Sequence, residues 1–264
     1  MSKHCVTGAA SVIWLCLIGL LFGSGCATSG NQLELETRLK KAKSHYNLGV
    51  DYLRTDRIAL GLRELLLAEE FDPKNARIQH ALGDGYLMRG RHQEAEHHYL
   101  RVLELAPSFH DARLNLSGLY AELSRFEECI THAKVLAEDA TFAAPWRALS
   151  NQGWAELRLG RIDDARRSLE FGLDFDPGYW PALLNLGILE MEQGRRLEAV
   201  SLFQKVLERK PGPEARSEAN YRLGEIYIAL GERKRAVGHL MTAVANAPGG
   251  RWGIKSEEYL KLLR

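Results

Sequence analysis

Glycine, alanine and proline recur along this chain at intervals of 34 residues, and this period limits the possible fold more than any other feature. The interval separates Gly49 from Gly83 and Ala165 from Ala199. It also separates three further pairs, which are Pro73 and Pro107, Gly153 and Gly187, and Pro177 and Pro211. Such a period is typical of arrays in which each repeat buries its apolar face by stacking on its neighbours. The sequence therefore predicts an all-α array of helix-turn-helix units.

The array is predicted to contain six units. They span residues 42–75, 76–109, 110–143, 146–179, 180–213 and 217–250, so two residues are inserted before the fourth unit and three before the sixth. Helices that approach closely leave room for a short side chain only. A small residue accordingly recurs where the two helices of a unit are expected to cross, namely Gly61, Ala95, Cys129, Ala165, Ala199 and Ala236.

This unit resembles the tetratricopeptide repeat, which has Leu-Gly and Tyr in its first helix, a small crossing residue in its second and Pro near its end. The resemblance covers about four fifths of the chain and implies a superhelical solenoid. The apolar end of such an array needs a cover. Tyr259, Leu260 and Leu263 follow at helical spacing, so we expect a capping helix over residues 251–264.

The first 25 residues have the layout of an export signal. They contain Lys3 and no acidic residue, an apolar run of about 14 residues from 9 to 22, and small residues at 23–25. A helix needs about 20 apolar residues to cross a bilayer, so the run is short for a membrane span. We expect a signal peptide over 1–25, with a retained membrane anchor as the alternative.

Cys26 follows directly, and Ser24-Gly25-Cys26-Ala27 resembles the lipobox of bacterial lipoproteins, with Gly23 where that motif usually has Leu. The resemblance implies that Cys26 is acylated and that Ala27 directs the protein to the outer membrane, with the array facing the periplasm. Two or more acyl chains anchor a protein stably. Residues 26–41 would then comprise the lipidated Cys, a short polar tether at 27–31 and a lead-in helix. The alternative is a secreted protein with an ordinary Cys near its mature end.

Charge and motif content argue against nucleic-acid binding and against catalysis. The 35 Lys and Arg nearly balance 34 Asp and Glu, whereas a nucleic-acid binder needs a basic excess. Phosphate-binding loops, nucleophile elbows and HExxH helices are absent from the sequence. The richest titratable cluster is His92, Glu94, His97 and His98, which we expect to form a solvated helix face. We expect no metal, no cofactor, no small-molecule substrate and no enzymatic activity.

Asparagine recurs at the sixth position of the first helices. It is found there in four units, as Asn47, Asn115, Asn151 and Asn185. In the family that the repeats resemble, this position faces the concave groove. Asn is unfavourable inside a helix, but its amide can both donate to and accept from a peptide backbone. The pattern predicts a ligand-binding ladder, and the alternative is that these residues tie neighbouring helices together.

Large apolar residues accompany the asparagines on the same helices. Trp154, Leu157, Ile188 and Met191 are expected to form an exposed strip beside them. Exposed apolar strips usually mark a partner site. We therefore predict a partner-binding groove centred on the fourth and fifth units, suited to a peptide or an amphipathic helix.

The junction of the third and fourth units indicates a family. Its pattern is an acidic residue, a short insertion, Pro and then Asn-x-Gly, formed by Asp139, Thr141, Pro145, Arg147, Asn151 and Gly153. With the signal, the lipobox and six repeats, it resembles the pilotin lipoproteins of type IV pilus biogenesis, the PilF/PilW/Tgl group. The resemblance implies a protein that binds the outer-membrane secretin subunit and promotes its localisation or multimer assembly. The alternative is an envelope adaptor that recruits peptidoglycan enzymes or an outer-membrane assembly complex.

Overall fold

A computed structural model describes residues 23–263, with side chains from residue 31 onward. Residues 1–22, which make up most of the predicted signal peptide, the side chain of Cys26, and Arg264 lie outside this description. The described residues form 13 α-helices and no strand, which confirms the all-α class. Within residues 23–263, every helix is too short or too polar to pass through a bilayer.

The helices fall two to each predicted repeat. In chain order they are α1 (Gly23–Arg54), α2 (Ile58–Phe71), α3 (Ala76–Met88), α4 (His92–Leu105), α5 (His110–Glu122), α6 (Phe126–Ala137), α7 (Pro145–Arg158), α8 (Ile162–Phe175), α9 (Trp180–Glu192), α10 (Arg196–Glu208), α11 (Pro213–Ala229), α12 (Arg233–Asn246) and α13 (Arg251–Leu262). The last of these is the additional C-terminal helix. Helix α1 also includes residues 27–31, so the segment expected as a tether has helical backbone.

The two helices of a repeat are joined through a residue in the left-handed region. Glycine occupies this position in four repeats, with φ between 70° and 77°, as Gly90, Gly160, Gly194 and Gly231. Asp56 and Ser124 take the same position with φ of 58° and 59°, a conformation that L side chains adopt rarely. Each turn is closed by a backbone hydrogen bond, for example from Arg91 N–H to Tyr86 C=O at 2.9 Å.

Close helix contact explains the glycine of the Leu-Gly pair. A Cβ on Gly83 would lie 2.5 Å from Cε1 of Tyr99, and one on Gly187 would lie 2.7 Å from Cε1 of Phe203. Tyr99 and Phe203 are fully buried. The first helix therefore needs glycine at this position so that the second helix can place a large side chain in the core.

The described helices group into two compact units, which divide after Pro107. The core of the first unit is built around Leu65, Ala68, Ile78 and Leu82. The largest core cluster of the second unit includes Leu169, Leu189, Phe203, Leu223 and Tyr227. All six predicted crossing residues are buried. Burial raises the pKa of the Cys129 thiol to about 12, so this residue behaves as a small apolar side chain.

Candidate partner-binding groove

Asn151 ties two repeats together. Its Nδ2 atom donates to Ser117 Oγ at 2.8 Å, and that hydroxyl donates to the Leu114 carbonyl at 2.8 Å. Ser117 is fully buried in α5, one repeat before α7. The amide of Asn151 thus satisfies a buried hydroxyl, as the alternative interpretation of the asparagine pattern supposed.

The third repeat makes room for this contact by changing its packing pair. Ser117 takes the position that glycine holds in the other repeats, and Ala133 stands where Tyr99 and Phe203 stand in theirs. Ala133 is fully buried. The smaller partner accommodates the serine side chain, whose buried hydroxyl donates to the Leu114 carbonyl and accepts from Asn151.

The other three asparagines have different environments. Asn115 is half-buried and interacts with other residues of the protein. Asn185 is half-buried, and its amide has no hydrogen bond within the described part of the chain. Asn47 is exposed on α1. The four residues therefore do not present a uniform row of amides.

The predicted apolar strip is largely part of the core. Leu157 and Ile188 are only 4% and 5% exposed and pack in the main cluster of the second unit, so the expectation that they face the groove is wrong. Trp154 and Met191 are half-buried against the same cluster. The reason is that first helices are covered on both sides by neighbouring helices, which leaves a narrower open face than the pattern suggested.

An open cavity lies instead between α1 and α3, in the first two repeats. Its volume is about 430 Å³, and its lining includes Lys43, Tyr46, Asn47, Arg77 and Ile78. The lining combines an apolar wall with two cations, the carboxylate of Asp72 and an exposed amide. These groups can hold a peptide backbone beside an acidic or apolar side chain.

The loop at the edge of this cavity is held by Asn75. Its side chain accepts from Arg77 N–H at 3.1 Å, which caps α3, and donates to Asp72 Oδ2 at 2.8 Å. The cap positions Arg77 at the mouth of the cavity. The hydrogen bonds of Asn75 therefore fix the backbone on this side of the cavity.

The histidine cluster is not a uniformly solvated face. His98 is buried, and its Nδ1 atom lies 2.7 Å from Gln79 Oε1. Glu94 instead forms an ion pair with Arg91. Across the residues with described side chains, 31–263, His, Cys, Asp and Glu do not converge in groups of three that could hold a metal ion.

The His98 contact belongs to a pattern that the sequence analysis missed. Gln79 and His98 are 19 residues apart, as are Asn220 and His239, whose Oδ1 and Nδ1 atoms lie 2.9 Å apart. In each pair the histidine comes from the second helix and the amide from the first. The signal available in the sequence was this fixed spacing between an amide and a histidine.

The junction between the third and fourth repeats is held by Asp139. Its carboxylate accepts from Thr141 N–H at 2.8 Å, from Thr141 Oγ1 at 2.6 Å and from His110 Nε2 at 2.9 Å. These hydrogen bonds, chiefly those from Thr141, lower the pKa of Asp139 to about 2. The acidic residue of the junction pattern thus links the inserted loop to the first turn of α5.

Comparison with known proteins identifies the repeat. Models of the tetratricopeptide repeat match residues 76–109, 150–214 and 190–254. The chain is 27% identical over 176 residues to the type IV pilus assembly protein PilF of Pseudomonas aeruginosa. This match covers 64% of this chain and 67% of that protein. It is 29% identical over 121 residues to tetratricopeptide repeat protein 8 of Caenorhabditis elegans, but that match covers only 23% of the worm protein.

Two solved structures have the same architecture. The crystal structure of PilW, described as a widely conserved type IV pilus biogenesis factor, superposes with a TM-score of 0.70 at 21% identity and covers 81% of this chain and 97% of PilW. A solved structure of Pseudomonas aeruginosa PilF superposes with a TM-score of 0.68 at 16% identity and covers 84% of this chain and 99% of that one. At these identities the likeness shows the fold, and it confirms the tetratricopeptide-repeat solenoid.

Proposed function

We propose, on the premise that this chain is a tetratricopeptide-repeat protein resembling type IV pilus biogenesis factors, that it acts as a pilotin. In this role it binds the pilus secretin subunit and promotes its localisation and multimer assembly in the outer membrane. The observation that carries the proposal is the sequence similarity to PilF, which extends over 67% of that protein. The protein then serves as a scaffold for protein partners, without catalysis or a cofactor.

The cavity between α1 and α3 is the site that we propose for the secretin segment. Asn47 is exposed there, and Lys43 and Arg77 supply positive charge. In the fourth repeat, by contrast, Asn151 is hydrogen-bonded to Ser117, and Leu157 is buried. We therefore move the proposed site from the fourth and fifth repeats to the first two.

Membrane attachment through Cys26 is a second part of the proposal. It rests on the lipobox-like sequence around Cys26 and on Ala27 after it, which favours the outer membrane. Labelled palmitate should be incorporated into the wild-type protein and lost in Cys26→Ala. Cys129→Ala is the matched control because alanine occupies the same crossing position in four other repeats, so labelling should persist. Equal labelling of both variants would reject the anchor.

The decisive experiment measures detergent-resistant secretin multimers in membranes. A strain lacking this protein should lose multimers and retain secretin monomer, and the wild-type gene should restore them. Asn47→Arg fills the cavity and should restore fewer multimers, whereas Glu36→Arg adds a cation at an exposed position on the same helix and should restore the wild-type amount. Unchanged multimers in the deletion strain would reject the pilotin role and favour an envelope adaptor.

A further inference from the structure

The second unit carries a surface that the proposed function does not use. Two cavities of about 550 and 280 Å³ lie between α6 and α8, above α7. Lys134, Gln152, Arg167 and Ser168 line both of them, so the two form one continuous furrow. We call it the α6–α8 furrow, and its floor is formed by Leu149 and Gln152 of α7.

An aromatic pair marks the wider part of the furrow. Phe171 lines the larger cavity and is 51% exposed, and Phe175, one turn later on α8, is 50% exposed. Their rings are arranged edge to face with centroids 5.1 Å apart. A soluble protein gains by covering two adjacent phenylalanine rings, and such exposed apolar groups usually mark an interaction site.

Charge is distributed unevenly along both walls. Along each wall a cation precedes the acids of the wider part, because Lys134 precedes Glu138 on the α6 side and Arg167 precedes Glu170 and Asp174 on α8. Arg167 is ion-paired with Asp164 in the narrower part. Among the described residues, Glu138 and Asp174 make no ion pair, and Glu170 has only Arg166 at 3.7 Å. The acidic end therefore holds negative charge that the described protein leaves largely uncompensated.

The other end of the furrow is bridged by an ion pair. Arg161, at the start of α8, forms an ion pair with Glu127 of α6, with its Nη1 atom 3.2 Å from Glu127 Oε2. Within the narrow part, Glu156 is already satisfied by Gln152 at 2.8 Å and Ser168 at 2.7 Å. The groups left available to a ligand therefore lie at the acidic end, beside the aromatic pair.

We propose that the α6–α8 furrow binds an amphipathic helix of a partner protein, with its apolar strip on Phe171 and with Lys or Arg facing Glu138 and Asp174. A helix suits the site because its walls are two helices on the common floor of a third. Antiparallel to α6 and α8, the ligand would place the positive end of its dipole at the acidic end. This surface is additional to the groove proposed for the secretin.

The test uses two synthetic peptides of about 16 residues, designed as amphipathic helices. One has Leu and Phe on its apolar face and Lys beside them, and the other has Glu in place of each Lys. The full-length protein is held in phosphatidylcholine nanodiscs, and binding is measured by biolayer interferometry against empty nanodiscs. The Lys peptide should bind about tenfold tighter than the Glu peptide, and the preference should shrink in high salt.

Three variants assign the binding to the furrow. Phe171→Ala should weaken binding of the Lys peptide about fivefold or more. Glu138→Lys with Asp174→Lys should reverse the preference between the peptides. Met241→Ala, a 60% exposed apolar residue on α12, should leave binding unchanged.

The proposal is overturned if the Lys peptide fails to bind, if both peptides bind equally, or if Phe171→Ala matches the wild type. Asn47→Arg separates this inference from the pilotin proposal, because it should reduce secretin multimers and leave peptide binding intact. Normal secretin multimers in the strain lacking this protein, together with furrow-dependent peptide binding by the protein in nanodiscs, would reject the pilotin role alone.

Discussion

The rings of Tyr86 and His98 are stacked, with centroids 5.3 Å apart and planes 9° from parallel. Tyr227 and His239 repeat the arrangement at 5.4 Å and 13°. Each histidine also hydrogen-bonds an amide 19 residues earlier. Burial of each imidazole favours its neutral form, so these two histidines link the stability of two repeats to pH.

Acidification below neutrality should therefore destabilise the protein. Burial lowers the pKa of both His98 and His239 below the ordinary value of 6.5. Between the folded and unfolded values the unfolded chain binds more protons, so the stability present above about pH 6.5 is lost as pH falls through the folded pKa. Urea unfolding should show a lower midpoint at pH 5.5 than at pH 7.5.

A variant pair attributes this pH dependence to the stacks. His98→Gln with His239→Gln should flatten the change in midpoint between pH 7.5 and 5.5, whereas His92→Gln, outside the stacks, should preserve it. Carboxylates with lowered pKa, such as Glu64, act below about pH 4.5 and do not enter this window. Equal slopes in the double variant and the wild type would contradict the assignment.

Asn151→Ala should destabilise the second unit by about 1–2 kcal/mol, because it leaves the buried hydroxyl of Ser117 without its donor. Asn185→Ala is the matched control and should change stability little, since its amide is not hydrogen-bonded within the described residues. Urea unfolding measures both. In a double-mutant cycle with Ser117→Ala, the double variant should lose less stability than the sum of the two single variants, and additive effects would show that the contact contributes nothing.

Gly187→Ala should cost about 1–3 kcal/mol, because its Cβ would lie 2.7 Å from Cε1 of Phe203 in a packed core. Gly238→Ala is the matched control, because Gly238 also lies within a helix but faces open space. Nothing lies within 4 Å of a Cβ there, so alanine should be neutral or stabilising by up to about 1 kcal/mol. The midpoint of thermal unfolding should fall in Gly187→Ala and stay the same or rise in Gly238→Ala, and an equal fall in both would argue against steric packing as the cause.

Glu190 forms ion pairs at a position where four other repeats have a cation–π contact. The equivalent position is Tyr in four repeats, where an arginine lies over the ring, as Arg91 does over Tyr86 at 5.2 Å. Glu190 is 4% exposed and accepts hydrogen bonds from Arg166 and Arg195. Its carboxylate therefore replaces a cation–π contact with two ion pairs.

Removal of this carboxylate should be costly, and tyrosine should partly replace it. Glu190→Ala should cost about 2–3 kcal/mol, less than a fully buried ion pair because Arg195 is 45% exposed. Glu190→Tyr should cost less than half as much, since Arg195 can stack on the ring. Chemical unfolding measures both costs. If Glu190→Tyr were less stable than Glu190→Ala, the view that a cation–π contact can replace these ion pairs would be refuted.

Much of the fold could be predicted from the 34-residue period. Helix pairing, the small crossing residues such as Cys129 and the additional C-terminal helix all follow from local spacing, because each repeat presents the same apolar face to its neighbours. The candidate site was less predictable. The helical pattern placed Asn151 and Leu157 on the first helix, but one helix pattern cannot show which of its faces a neighbour covers.

The sequence by itself determined the repeating unit, because a regular pattern of small and apolar residues has one consistent way to stack. Only the tertiary structure decided which polar side chains remain available. Asn151 finds Ser117 one repeat away, whereas Asn47 lies in an open cavity, although both hold the same position in their repeats. Contacts between repeats depend on side chains far apart in the chain, so equal positions in the period can have unequal roles.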